Sequence, residues 1–279
     1  MSNYSAPIDR ENPSCFVFLL DQSGSMADKI GGSIDDKSKA QGLSDAINRL
    51  LQNLIIRCTR AEGVRDYYDV SIIGYGANSG VGPALGGELE GESLLAISRI
   101  ANYPIRIEER ETDDGAGSIK KFRLPIWFEP VSGGGTPMNA AFSQALDVLR
   151  DWIQAHPDSY PPILINLTDA EFTDEDPSNT VKAIKNLQTS DGKVLVFNCH
   201  ISSSNSSSIR FPAVPSELPD KHARLLFDLS SELPHGMAAV AKELNVEIPE
   251  NARGFVFNAS IVDLIKFLDI GTRPTTELR

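Results

Sequence analysis

Residues 15–26 read CFVFLLDQSGSM: an unbroken apolar run from Cys15 to Leu20, then Asp21, then Ser23 and Ser25 on either side of Gly24. Side chains of a strand alternate between faces, so a run apolar at every position requires cover on both. It therefore predicts a central strand of a parallel sheet, leaving the sheet at Asp21. The same pattern returns in ILINLTD, residues 163–169, where Pro161 and Pro162 introduce the apolar run and a carboxylate closes it. DVSIIGYG at 69–76, KVLVFNCHI at 193–201 and GFVFNAS at 254–260 read as further strands.

Helical spacing fills the intervals. From Lys37 to Cys58 the apolar residues Ala40, Leu43, Ile47, Leu50, Leu51, Leu54 and Ile55 recur at steps of three and four. MNAAFSQALDVLRDWI (138–153) follows Pro137, a residue suited to a first helical turn. Further helices are expected from about Ser178 to Gln188, over MAAVAKEL (237–244) and over SIVDLIKFLD, with Asn258 or Ser260 as the N-cap of the last. RLLFDLS (224–230) reads as a strand, SLLAISRIANY (93–103) as a short helix, and the SSSNSSS tract (202–208) as a surface loop. Between Tyr103 and Val131 the stretches PIRIEERET and SIKKFRLPIWFEPV flank DDGAG, a turn-rich segment, and predict a β-hairpin.

Strands alternating with helices specify an α/β fold: an open, mostly parallel central sheet with helices on both faces, plus an inserted β-hairpin. We expect an N-terminal extension at 1–14, one domain at 15–270 with an insertion at about 80–131, and a C-terminal tail at 271–279.

Composition narrows the function. Of 279 residues 41% are hydrophobic and 23% charged, which suits a globular chain with a sizeable core. A formal net charge of −12 with no basic run opposes binding to nucleic acid, whose affinity comes from neutralising phosphates. That acidity suits solubility, cations or basic partner surfaces. No apolar run approaches the ~20 residues that span a bilayer, and the N-terminus lacks a secretory pattern, so a cytoplasmic protein is expected. Cys15, Cys58 and Cys199 are odd in number and lie among apolar neighbours, as reduced core thiols do. The four histidines fall in no catalytic signature, and His200 reads as structural.

In an open α/β sheet, ligands gather beyond the carboxyl ends of the strands. Asp21 and Asp169 both end buried strands, and the D-x-S-x-S spacing can aim Asp21, Ser23 and Ser25 to one side. Such an all-oxygen set with few carboxylates suits a hard cation, Mg²⁺ first, with Mn²⁺ or Ca²⁺ as alternatives. Read locally, the same Asp and Ser side chains would cap the next helix.

DQSGSM after FVFLL, GGGTP opening a helix, and LTDAEFTDED after ILIN together resemble the metal-ion-dependent adhesion site of von Willebrand factor type A domains, in order and in host elements. The resemblance runs from about Cys15 to Leu268. It implies a Rossmann-like fold and a metal held by Asp21, Ser23, Ser25, Thr136 and Asp169. It further implies a partner protein whose acidic residue completes the coordination, and a last helix able to shift. Ala170, where many members carry Gly, departs from the pattern, and the hairpin lengthens the route to Thr136. The likeness extends to intracellular bacterial members tied to tellurite resistance, kinase and phosphatase signalling, or defence systems. Asp174, Glu175 and Asp176 read as a solvated acidic face.

The expectation is a binding module and not an enzyme. A haloacid-dehalogenase-like phosphohydrolase would use Asp21 as nucleophile and need an acid two residues on, where Ser23 stands with no useful acidity. GGGTPMN lacks the Gly-Lys-Ser/Thr ending of a phosphate-binding loop. A metal-independent scaffold is the remaining alternative.

Overall fold

A computed structural model describes residues 4–30, 37–113, 119–169, 171–201, 207–273 and 278. In chain order its main elements are β1 (Ser14–Asp21), α1 (Lys39–Cys58), β2 (Tyr68–Tyr75), β3 (Val81–Pro83), α2 (Ile97–Asn102), β4 (Arg106–Asp113), β5 (Ile119–Ile126), α3 (Met138–Ala155), β6 (Ile163–Thr168), α4 (Ser178–Asn186), β7 (Leu195–Ile201), β8 (Ile209–Arg210), α5 (Lys221–Leu229), α6 (His235–Glu243), β9 (Phe255–Ala259) and α7 (Ile261–Gly271).

The main sheet runs β8-β9-β7-β6-β1-β2-β3, with Leu95–Ala96 also pairing to β2. The five inner strands are parallel, while β3 and β8 close the edges antiparallel. This is the α/β architecture that the alternating pattern predicts. β1 lies between β2 and β6, so the chain first winds outward on one side and then crosses back to the other. That reversal makes the carboxyl ends of β1 and β6 the switch point of the sheet, the edge where ligands of open α/β sheets gather. The register Leu20↔Leu167 brings Asp21 and Asp169 to that one edge.

Alternation along β1 divides the core in two. Phe16, Phe18 and Leu20 pack in the layer that includes Leu43, Ile47 and Leu54 of α1 and Leu264 and Phe267 of α7. Cys15, Val17 and Leu19 pack in the opposite layer, with Phe142 and Leu149 of α3, Val181 of α4 and Leu226 of α5. Every β1 side chain is buried, which explains why the run is apolar throughout. The three cysteines are buried free thiols. Among the described residues, no helix is long and apolar enough to cross a membrane.

The predicted hairpin is β4 paired antiparallel with β5, from Arg106↔Ile126 to Asp113↔Ile119, as a sheet of its own. Its turn at 114–118 lies outside the described residues, as do 202–206 of the serine tract and Ala170. The hairpin lies along α1: Arg110 pairs with Asp45 at 3.3 Å, and the Arg49 guanidinium stands 5.4 Å from the Phe122 ring centre. Its exit is clamped by Asn48, a fully buried residue. The Asn48 carbonyl accepts from Trp127 N (2.8 Å) and Phe128 N (3.1 Å), while its amide donates to Phe128 O (2.8 Å).

One expected strand is a helix. RLLFDLS belongs to α5, because Asp220 caps that helix by accepting from His222 N and Ala223 N, and Ala223, Leu226 and Phe227 then fall on one buried face. A short apolar run has no length to separate the two periodicities. Ser260, not Asn258, caps α7, through a reciprocal pair of bonds with Asp263.

Candidate functional site

Four of the five residues singled out from the sequence meet at the switch point. Asp21 is fully buried at the end of β1; its Oδ1 accepts from Ser23 N at 2.8 Å and its Oδ2 from the Thr168 hydroxyl at 2.7 Å. The Ser23 and Ser25 hydroxyls are 3.0 Å apart, and Ser25 Oγ donates to Asp169 Oδ1 at 2.7 Å. Ser23 precedes a turn of 3-10 helix, Gly24–Ala27, and Ser25 lies within it, which keeps both hydroxyls beside the strand end.

Thr136 reaches the same edge through its backbone. Gly24 N donates to Gly134 O (3.1 Å) and Gly133 N to Gln22 O (2.8 Å), stitching the glycine loop to the first motif. Gly76, at φ 114°, lies where these loops cross, and a Cβ there would come within 2.6 Å of Ser23 N and 2.7 Å of Gly135 O. Thr136 is buried, with its N–H donating to Thr173 Oγ1 (2.8 Å) and its carbonyl accepting from Thr173 N (2.9 Å). Among the described residues, its hydroxyl joins none of the hydrogen bonds that link Asp21, Ser23, Ser25 and Asp169.

Two neighbours escaped the sequence reading. Asp174 is not part of a free acidic face: its carboxylate accepts from Asn139 N (3.2 Å) and Ala140 N (2.9 Å), capping α3 from another loop. The helix has no side-chain cap of its own. Asp176 likewise accepts from Ser178 N at the start of α4, and these bonds to Ser178 hold its carboxyl below the usual range. Glu175 and Asp176 are both exposed, while Asp174 is half-buried.

The second is Lys39, at the first turn of α1 and only 3% exposed. Its ammonium donates to Asp169 Oδ2 at 2.5 Å and to Ser25 O at 3.2 Å, with Asp28 Oδ2 at 3.8 Å. A cationic side chain in the first turn opposes the helix dipole, and that local violation was the signal available in the sequence.

Burial pushes the Asp21 carboxyl up to about 6; hydrogen bonds from Ser23 and Thr168 oppose the shift and the charge of Asp169 adds to it. His200 is stacked on Phe257 and accepts from Asn258 N, and burial lowers its imidazole to about 4. Behind the site a buried polar chain crosses the sheet, from Tyr75 Oη to Asn166 (2.8 Å), Asn166 to Asn198 (3.0 Å) and Asn198 to Ser230 Oγ (3.0 Å).

Among the described residues, no three His, Cys, Asp or Glu side chains cluster as a metal site. What the edge offers is two carboxylates and two hydroxyls, a hard-oxygen set. A cation with ~2.1 Å bonds in octahedral geometry sets adjacent oxygens about 3 Å apart, and the two serine hydroxyls stand at 3.0 Å. The edge also holds a cation already, the Lys39 ammonium. The donor set is of the chemical kind that a small hard cation takes.

No protein-family model matches the chain, and no curated protein does either. Solved structures similar to it include proximal thread matrix protein 1 from the mussel byssus, at 14% identity over 93% of this chain and 47% of that one, TM-score 0.48. Others are three N-terminal domains of the pilus tip protein Mfa5 from Porphyromonas gingivalis (16%, 64% and 23%, TM-score 0.31) and the ArnB paralog VWA2 from Sulfolobus acidocaldarius (14%, 68% and 35%, TM-score 0.30). The chain spans less than half the length of each of these proteins. At such identities and TM-scores these likenesses carry no argument about function.

Proposed function

We propose that this chain is a non-catalytic, protein-binding module of the von Willebrand factor type A kind, in which Asp21, Ser23, Ser25, Thr136 and Asp169 hold Mg²⁺. The observation that carries the proposal is the convergence of two strand-terminal carboxylates and two hydroxyls at the switch point of the sheet. When bound, the cation would offer a coordination position to an acidic side chain of a partner protein.

The chain's own residues prepare that position. Thr168 and the Ser23 N–H each hold one oxygen of Asp21, fixing its carboxylate with no freedom to rotate away. Thr173 holds the backbone of Thr136 from both sides, and Asp174 fixes the helix that follows it. Such outer hydrogen bonds set ligand orientation and hence affinity. The buried thiols are compatible with a reducing compartment, and we place the module in the cytoplasm on that ground.

Calorimetric titration of the chain with Mg²⁺ tests the reading. We expect saturable one-site binding that Asp21→Ala abolishes while the circular dichroism spectrum is kept. Equal heats from both proteins would refute it.

A further inference from the structure

The geometry points to Lys39 as a tethered cation of the proposed metal site, one that competes with the divalent ion for Asp169. This inference rests on the reading of the switch point as a metal site and adds a control element to it. Lys39 is anchored by helix α1, yet its ammonium contacts both loops that supply the site: Ser25 O on the first and Asp169 Oδ2 on the third. The other oxygen of Asp169 accepts from Ser25 Oγ, so each oxygen of the carboxylate has a partner within the chain.

A fully buried pair of carboxylates would be costly with no cation between or beside them. The side chains of Asp169 and Lys39 are 0% and 4% exposed, so water screens their attraction little. Lys39 thus gives the metal-free fold a counter-charge that stays with the chain. A divalent cation entering the site meets one carboxylate already neutralised, and binds more weakly for it. Once it is bound, two carboxylates, one ammonium and one divalent ion leave a single net positive charge. An incoming carboxylate neutralises that charge, so Lys39 trades metal affinity for anion affinity at the same place.

The test is Mg²⁺ titration calorimetry on the full chain, comparing wild type with Lys39→Met, Lys39→Gln and Lys39→Arg. Lys39→Gln keeps a donor for Asp169 without the charge and serves if Lys39→Met does not fold. We expect the neutral variants to bind Mg²⁺ at least about tenfold more tightly than wild type, and Lys39→Arg to stay within about threefold of it. In EDTA the neutral variants should melt below wild type, and Mg²⁺ should raise their melting temperature by more. Mg²⁺ binding only by the neutral variants would support the inference and refute a metal-loaded wild type. Unchanged or weaker Mg²⁺ binding by the neutral variants overturns the inference and leaves the metal reading standing. Absence of binding in all four proteins overturns both.

Discussion

Asn48 is the residue whose loss should most clearly separate packing from hydrogen bonding in this fold. Replacing it by Ala leaves Trp127 N and Phe128 N buried without an acceptor, while Phe128 O keeps its 2.7 Å bond from Ser44 Oγ. A buried orphaned N–H costs about 1–3 kcal/mol, so the pair should cost about 4 kcal/mol in unfolding free energy. Ser44→Ala provides the contrast. It removes one of two donors to Phe128 O, the other being Asn48 Nδ2 at 2.8 Å, and should cost about 1 kcal/mol or less. Urea denaturation followed by far-ultraviolet circular dichroism measures both. Hydrogen exchange adds a local readout, since the amides of Trp127 and Phe128 should be slow in wild type and fast in Asn48→Ala alone. If Asn48→Ala is destabilised by no more than Ser44→Ala, the clamp does not hold the hairpin exit and the argument from orphaned donors is wrong.

Asp174→Ala should lower stability by about 1–2 kcal/mol, because it uncaps α3, and should weaken any Mg²⁺ binding through Thr136. Thermal melts with and without Mg²⁺ check it, and a melt identical to wild type would contradict the cap. For Asp21 the pH dependence is worked from its raised carboxyl. The folded protein holds that proton to about pH 6 and the unfolded chain only to about pH 4. Between those values the folded state binds more protons, so metal-free stability from this group is present below pH 4 and is lost as pH rises through 6. Asp21→Asn should accordingly be more stable than metal-free wild type at pH 7, by about 3 kcal/mol at most, with the gap closing toward pH 4. Equal stability across that range would show that burial of this carboxylate carries no penalty. In wild type, Mg²⁺ affinity should rise between pH 5 and 7 and level off above, since the cation competes with this proton.

The parts legible in the sequence were those with short-range causes. β1 and β6 announced themselves because strands covered on both faces must be apolar throughout, and the carboxylates that end them needed no tertiary information to be noticed. Helices α1 and α3 were clear from spacing over many turns. α5 was misread because seven residues of RLLFDLS fit either period, and the deciding residue, Asp220, lies before the run and acts through its side chain. Lys39 and Asp174 were missed for a different reason. Each is a charged residue in a polar stretch, and its partner is far off in the chain: Asp169 for Lys39, Asn139 and Ala140 for Asp174. Only the fold brings them together; for Lys39 the one local hint is a cation placed in a first helical turn, and for Asp174 there is none.

The central claim is that a hard cation belongs at the meeting point of Asp21, Ser23, Ser25, Thr136 and Asp169. Crystals soaked in Mn²⁺ and measured at an anomalous wavelength test it most directly. The account predicts one anomalous peak within about 2.4 Å of the Ser23 and Ser25 hydroxyl oxygens. A peak elsewhere, or none at saturating Mn²⁺ with Lys39 still on Asp169, would contradict it.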